Sequence, residues 1–418
     1  MRGPSPLVCG IALAATATVP SPSRAMTWAE ARAAAQQRAP EIEIGARRSQ
    51  VAHADIEVAG ARANPTFTVT TARETARLST GASLPLPLFG QRGAAMRAAA
   101  SDAEAVDRER EVTINDVRWG ATVAWVEVWE LTLRARLLGG AADDARRLST
   151  IATERFAAGS SPRVDVVRAT ADRVRAEADA ESARALVGAA GARLAVWVGA
   201  DPVTPPALEG GPGVPARLPP LAQLLGDGDR HPTLARDEAQ RTAARRRVEL
   251  ERRLRLPIVS AELVVSQGDP TLTDARGVQR TDVIAGASFE LPILNARGGA
   301  IAHAEAQGAL ADASRSLDAA HLRADLVDAF RRTEAASARA RTLGQDVLPA
   351  IEEARAMTEE SYRAGRADLV RVLEAQRAVI DARLAELDAI AGWARAFADL
   401  ERAAGRALEN QGTAHAAP

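Results

Sequence analysis

The chain has 418 residues, with 53 basic and 54 acidic side chains and a net charge of −1; the charges are interspersed, so nothing favours a nucleic-acid partner. Apolar residues make up 47%, much of it alanine, while aromatics are only 3%, too few large side chains for the core of a compact enzyme of this length. The single cysteine, Cys9, excludes an intramolecular disulfide and any cysteine-based zinc or iron–sulfur site.

Residues 1–25 read as an export signal. Arg2 supplies the positive charge, Leu7 to Val19 a short stretch of small and apolar residues, and Ser23-Arg24-Ala25 the small residues at −3 and −1. A lipoprotein reading through Cys9 fits less well, because Val8 precedes it where a small residue is wanted. No later segment reaches the ~20 apolar residues of a spanning helix. An exported chain of this kind is either soluble or crosses the outer membrane as a β-barrel.

In the mature chain, Pro40 opens a helical stretch and Pro65 closes it. Strands are predicted at about 65–74 and 78–88: Phe67 and Val69 alternate with threonines, and Ala82, Leu84, Leu86 and Leu88 share one face. Gln91 to Phe156 contains no proline, enough for a helix of about 100 Å, with the heptad-like series Val117, Ala121, Ala124, Val128, Leu131. A glycine turn at Gly159 and a further helix complete a first unit, 26–200, and a Pro/Gly-rich linker, 201–220, follows.

The second unit, 221–408, repeats this order. Pro232 and Pro257 stand 192 positions after Pro40 and Pro65. Gly286-Ala287-Ser288-Phe289 and Arg297-Gly298 match Gly81-Ala82-Ser83-Leu84 and Arg92-Gly93 at an offset of 205. Tyr362-Arg363-Ala364-Gly365 matches Phe156-Ala157-Ala158-Gly159. Strands are predicted at about 257–267 and 280–291, then a helix from Gly299 to Tyr362 with a possible kink at Pro349, a turn near 365, a last helix carrying Leu369, Leu373, Ile380, Leu384 and Leu387, and a flexible tail, 409–418.

Four strands cannot close a barrel, and open edges are forbidden in lipid. Helices this long need neighbours along their length. Both requirements point to a symmetric oligomer. From pattern alone a soluble periplasmic coiled-coil protein with a small sheet remains equally open.

Met26-Thr27-Trp28-Ala29-Glu30-Ala31, Ala39-Pro40-Glu41-Ile42 and Ala61-Arg62-Ala63-Asn64-Pro65-Thr66 resemble the opening of TolC-family outer-membrane efflux factors. Leu84-Pro85-Leu86-Pro87-Leu88-Phe89-Gly90-Gln91-Arg92-Gly93 is similar to the strand-to-helix junction of the CzcC-like heavy-metal-efflux branch. The resemblance covers nearly all of the mature chain. It implies a mainly α fold of long antiparallel coiled-coil helices, an α-barrel, with four membrane strands per chain. Three chains form a homotrimer with a twelve-stranded β-barrel in outer-membrane lipid, its loop at Gln267 to Arg280 outside the cell, and a helical extension into the periplasm. It also implies a periplasmic adaptor (membrane fusion protein) docking on the tips, Gly159, Ser160, Gly365 and Arg366, and an inner-membrane pump of the resistance-nodulation-division type that supplies the energy for a passive duct.

The resemblance further places an acidic ring on the helix after the second tip, usually Asp-Val-Leu-Asp. Here it reads Arg371-Val372-Leu373-Glu374, which puts cation selectivity at the entrance in doubt. A tyrosine near an aspartate holds such entrances shut, which makes Tyr362 with Asp165 the gate expectation. Each site has a plainer reading: a glycine suits any sharp interhelical turn, Asp165, Arg371 and Glu374 suit a solvated helix face, and Tyr362 suits packing at a helix end. His53, His231, His303, His321 and His415 lack ligand spacing and read as surface residues; no metal site or cofactor is expected. Glu352-Glu353 and Glu359-Glu360 lack the buried cleft that acid–base catalysis needs. The rival functions are a periplasmic adaptor, which carries one helical hairpin in β-rich domains, and an exported helical enzyme acting on peptidoglycan.

Overall fold

The computed structural model describes residues 25–71, 77–213, 218–267, 281–364 and 366–408. The expected signal segment up to residue 24, the loop at 268–280, the tip residue Gly365 and the tail from 409 lie outside the described residues.

The described chain begins as a short ribbon: the Met26 amide donates to the Ala207 carbonyl at 2.8 Å, and the Glu209 amide to the Met26 carbonyl at 3.1 Å. Thr27 and Glu30 then form a capping box that starts α1 (Trp28–Arg38). Pro40 biases Ala39 to extended backbone, which ends α1, and itself occupies the first position of α2 (Pro40–Gly60), where its missing N–H costs nothing. Strands β1 (Thr66–Thr70) and β2 (Leu78–Leu86) lead into α3 (Gln91–Ala157), an unbroken helix of 67 residues. The hairpin closes with α4 (Arg163–Val198).

After the linker and a short helix, α5 (Leu221–Gly226), the order recurs: α6 (Pro232–Leu254), β3 (Ile258–Gln267), β4 (Asp282–Glu290), α7 (Gly298–Thr342), α8 (Leu348–Arg363) and α9 (Leu369–Ala404). Helices α4 and α9 are both 36 residues long and start 206 positions apart. Their ends are built alike. Gly199 and Gly405 both take positive φ, and the next amides return to carbonyls five residues back, Ala200 to Ala195 at 2.8 Å and Arg406 to Glu401 at 3.3 Å.

The long helices of the two copies differ at one place. The second long helix is interrupted by a π-helical turn, Leu343–Val347, directly before Leu348-Pro349. Pro349 has no N–H to continue the ladder and its ring crowds the preceding turn, so the backbone widens there. The interruption expected at Pro349 is thus a π turn, and α3, which has no proline, runs through the matching region.

The strands form one antiparallel sheet in the order β1-β2-β3-β4. The duplication meets at its centre, where β2 pairs with β3 from Leu78↔Gln267 to Leu86↔Val259. The register puts Phe67, Val69, Ala82, Leu84, Val259, Leu263, Val283 and Phe289 on one face. Thr66, Thr68, Ser79, Ser83, Ser260, Glu262, Ser266, Asp282 and Ser288 lie on the other, which is mainly polar but also carries Ile258, Val264 and Ile284. The described part of β1 has five residues; the other strands have nine or ten, the length of a membrane strand. Among the described residues, no helix is long and apolar enough to cross a membrane.

Most large buried side chains gather at one level of the long helices. There the middle of α3 meets the C-terminal halves of α4 and α9, and α1, α5 and the linker wrap around them. Trp125, Leu194, Leu224, Trp393, Phe397 and Leu400 are all at most 2% exposed. Trp28 meets Trp125 edge-on at 5.7 Å, and Trp393 stacks on Phe397 at 5.4 Å. Elsewhere the helices meet along alanines such as Ala94, Ala98, Ala169, Ala180 and Ala183, which lets them run close together as a thin wall.

The belt also buries polar groups. Glu401 is 2% exposed, accepts from Arg32 and from the Leu408 amide at 2.8 Å, and its pKa is pushed up by burial against the pull of Arg32. His231, expected at the surface, is instead buried at the start of α6. Its Nδ1 accepts from the Thr233 amide at 3.1 Å and its Nε2 donates to the Arg402 carbonyl at 3.1 Å, so it caps one helix and ties down the end of another. Burial holds its pKa below the ordinary histidine value. His53 is at the surface, 3.0 Å from Asp107, and His303 is at the surface, 3.0 Å from Gln307.

Candidate functional site

The candidate functional surfaces are the sheet and the far tips of the two helical hairpins. On the polar face of the sheet Ser288 donates to Glu262 at 2.6 Å and Ser79 lies 3.4 Å from Ser266, so neighbouring strands are laced by side chains suited to water. The opposite face leaves Phe67, Val69, Val283 and Phe289 between 60% and 72% exposed, with no layer packed over them among the described residues. A sheet with one dry and one wet face suits a boundary between lipid and an aqueous lumen. Among the described residues its outer edges, β1 and β4, have free backbone groups, each costing roughly several kcal/mol if left unpaired in hydrocarbon.

At the first tip, Gly159 takes φ 73° and the Ser160 amide returns to the Arg155 carbonyl at 2.9 Å. Ser160 Oγ donates to that same carbonyl at 3.0 Å. At the second tip the Arg366 amide returns to the Ser361 carbonyl at 2.8 Å, the same bond 206 positions on. Gly365 lies outside the described residues. Gly159, Ser160 and Arg366 are exposed.

Asp165 and Tyr362, the expected gate pair, are not joined within one chain. The Tyr362 hydroxyl accepts from Arg155, whose guanidinium also lies 4.7 Å from the tyrosine ring centre. Arg155 stands in the last turn of α3 and reaches across to α8, whereas Asp165 sits half-buried in the first turn of α4, its amide bonded to the Pro162 carbonyl at 3.1 Å. There the Asp165 carboxylate favours the helix N-terminus. Deeper in the hairpins Asp172 pairs with Arg377 and Glu352 with Arg383 at 2.6 Å, joining α4 to α9 and α8 to α9. Arg155 was not among the sequence candidates. The only local signal for it is that it precedes Phe156, the repeat mate of Tyr362.

Arg371 and Glu374 are both exposed in the first turns of α9, three residues apart and hence on one face. Val372 between them is buried. Asp368 caps this helix by accepting from the Arg371 amide at 3.1 Å. The start of α9 therefore offers one positive and one negative side chain at this level, rather than two acids.

The family model described as "Outer membrane efflux protein" matches residues 31–200 and 228–406. The chain belongs to this family. As an outer membrane efflux protein it lies in the outer membrane with a periplasmic helical extension, and its fold is that of a channel. It is 29% identical over 337 residues, 80% of this chain and 78% of the relative, to the cobalt-zinc-cadmium resistance protein CzcC of Cupriavidus metallidurans. Among solved structures, the CmeC outer membrane channel of Campylobacter jejuni superposes with a TM-score of 0.75 at 15% identity, covering 92% of this chain and 87% of that one. The outer membrane protein VceC of Vibrio cholerae does so with a TM-score of 0.71 at 18% identity, covering 91% and 97%. These two establish the fold of this efflux protein, and the resemblance to TolC-like channels in sequence is borne out.

Proposed function

We propose that three copies of this chain form one passive, non-enzymatic duct that carries metal ions from the periplasm to the exterior. The observation that carries this reading is the sheet: one apolar face, one polar face, and two unpaired edges whose pairing with other copies gives twelve strands in a closed barrel. The long helices prolong the barrel wall into the periplasm. The tips at Gly159, Ser160, Gly365 and Arg366 dock a periplasmic adaptor, and an inner-membrane pump supplies the energy. The similarity to a cobalt-zinc-cadmium resistance protein supports metal cargo. Asp165, Tyr362, Arg371 and Glu374, with Arg155, line and restrain the periplasmic entrance. The units 26–200 and 221–408 are the two repeats of each chain.

The test is fractionation followed by gel electrophoresis with and without heating. The expected result is an outer-membrane species of three chains that falls to one on boiling. A soluble monomer overturns the reading. For cargo, cells carrying the chain with its cognate pump and adaptor should tolerate raised zinc, cobalt or cadmium. Tolerance restored only to organic toxins would reassign the cargo.

A further inference from the structure

A duplicated chain that closes into a ring contains, inside itself, a copy of the contact it makes with its neighbour. In one chain the long helix of the first repeat, α3, packs against the helix that leads into the strands of the second repeat, α6. Arg97–Glu249 at 2.7 Å and Asp102–Arg247 at 3.0 Å fix the register of that seam. Ala98 and Leu250 line one cleft on it, and Ala243 is buried in it. The equivalent contact between copies joins α7 of one chain to α2 of the next.

The sequence offsets carry the internal seam onto those helices. On α6 the α3-facing series is Arg236, Ala243 and Leu250; moved back by 192 positions it becomes Ile44, Val51 and Val58. On α3, Ser101, Ala105 and Val112, moved forward by 205, become Ala306, Leu310 and Leu317. These are the residues the single chain leaves uncovered. Ile44, Val51 and Val58 are 51%, 63% and 71% exposed, and Leu310 and Leu317 are 66% and 55% exposed. The α2 series recurs every seven residues and faces away from α3, which α2 meets instead through Ile42, Gly45 and Ser49. The α7 stripe is continued by exposed Ala302, Ala309 and Ala313. Large side chains on one helix thus face mostly small ones on the other, as in the alanine-lined contacts within the chain.

The register transfers too. Arg97–Glu249 becomes Ala302 beside Glu57 of the next copy, and Asp102–Arg247 becomes Gln307 beside Asp55. Val51 then falls between Ala306 and Leu310. The helices run in opposite directions from the sheet, so Ile44 falls near Ala313 and Leu317. The free edges of β1 and β4 flank the same two sides, making strand pairing and helix seam one continuous interface.

We infer that Ile44, Val51 and Val58 on α2 of one copy seat against Ala306, Leu310 and Leu317 on α7 of the next, in the register of the internal α3–α6 seam. This rests on the channel reading above, and its partner is a second copy of this chain. The test uses the full chain in its membrane, carrying Val51→Cys with Leu310→Cys, treated with a short thiol-to-thiol linker and compared with each single variant. The expected result is conversion of most of the chain to covalent two- and three-chain species on a denaturing gel. The out-of-register pair Ile44→Cys with His303→Cys, about 18 Å apart along the wall, should stay at the single-variant background. Unlinked V51C/L310C chains inside intact trimers, or equal linking of the out-of-register pair, overturn the seam and leave the channel reading standing. Absence of any trimer in the unsubstituted chain overturns both.

Discussion

Two glycines with nearly the same backbone angle should respond differently to alanine. Gly159 at the tip has φ 73° and Gly405 at the end of α9 has φ 69°. In both, an alanine methyl group would be strained by about 1–2 kcal/mol, the cost of the left-handed conformation. At Gly159 that is the whole effect, because nothing lies within 4 Å of the added carbon. At Gly405 the same carbon would come within 2.6 Å of Pro232 Cδ and 2.7 Å of His231 Cδ2. Relief requires moving His231, which is held at both ring nitrogens, so overpacking adds about 1–3 kcal/mol. The sum is about 2–5 kcal/mol for Gly405→Ala against about 1–2 for Gly159→Ala. Urea titration in detergent, followed by tryptophan fluorescence, reads the difference, since Trp28, Trp125 and Trp393 all lie in the belt beside α9. The midpoint should fall clearly further for Gly405→Ala. Equal shifts would show that the close approach of α9 to His231 and Pro232 carries no energy, and would refute the reasoning.

Arg32→Ala should lower stability by up to about 3–5 kcal/mol because it leaves the buried Glu401 carboxylate without its hydrogen-bonded cation and with only Arg118 nearby as counter-charge, whereas Glu401→Gln should cost much less; the same urea titration checks the order, and a reversed order refutes it. His231 is neutral in the fold, with its pKa held below the ordinary value by burial. Its contribution is therefore complete above the unfolded value of about 6.5 and is lost as pH falls below it toward the folded pKa. His231→Asn keeps a capping acceptor, so the midpoint should drop less between pH 7.5 and 5.5 than in the parent chain; equal drops would exclude His231 as the source. At the tip, Tyr362→Phe removes the acceptor that Arg155 uses and Arg155→Ala removes the cation. Both should raise the closed-state conductance of single channels in planar bilayers, and unchanged conductance in both would remove the pair from the gate.

Much of this protein was legible without a structure because its punctuation is local. Pro40, Pro65, Pro232 and Pro257 act on their own dihedrals and on the residue before them. Gly159 provides a left-handed turn that few other residues tolerate, and period-two alternation at 258–267 and 282–290 needs only neighbours in sequence to declare two faces. The duplication turned those local marks into an architecture, since two copies of the same order must place their strands side by side. The tertiary structure decided whatever depends on residues far apart in the chain. His231 carries no sequence mark of burial, and only the end of α9 folding back over it makes it a neutral cap. Glu401 finds Arg32 across almost the entire chain, and Tyr362 finds Arg155 on the other hairpin instead of Asp165, because helix packing sets which side chains reach one another. Pro349 announced an interruption, but the packed hairpin made it a π turn within a continuing helix rather than a break. Local conformational preference acts over a few residues and can be read from them; partner choice between surfaces of similar chemistry is settled only when the long helices lie together.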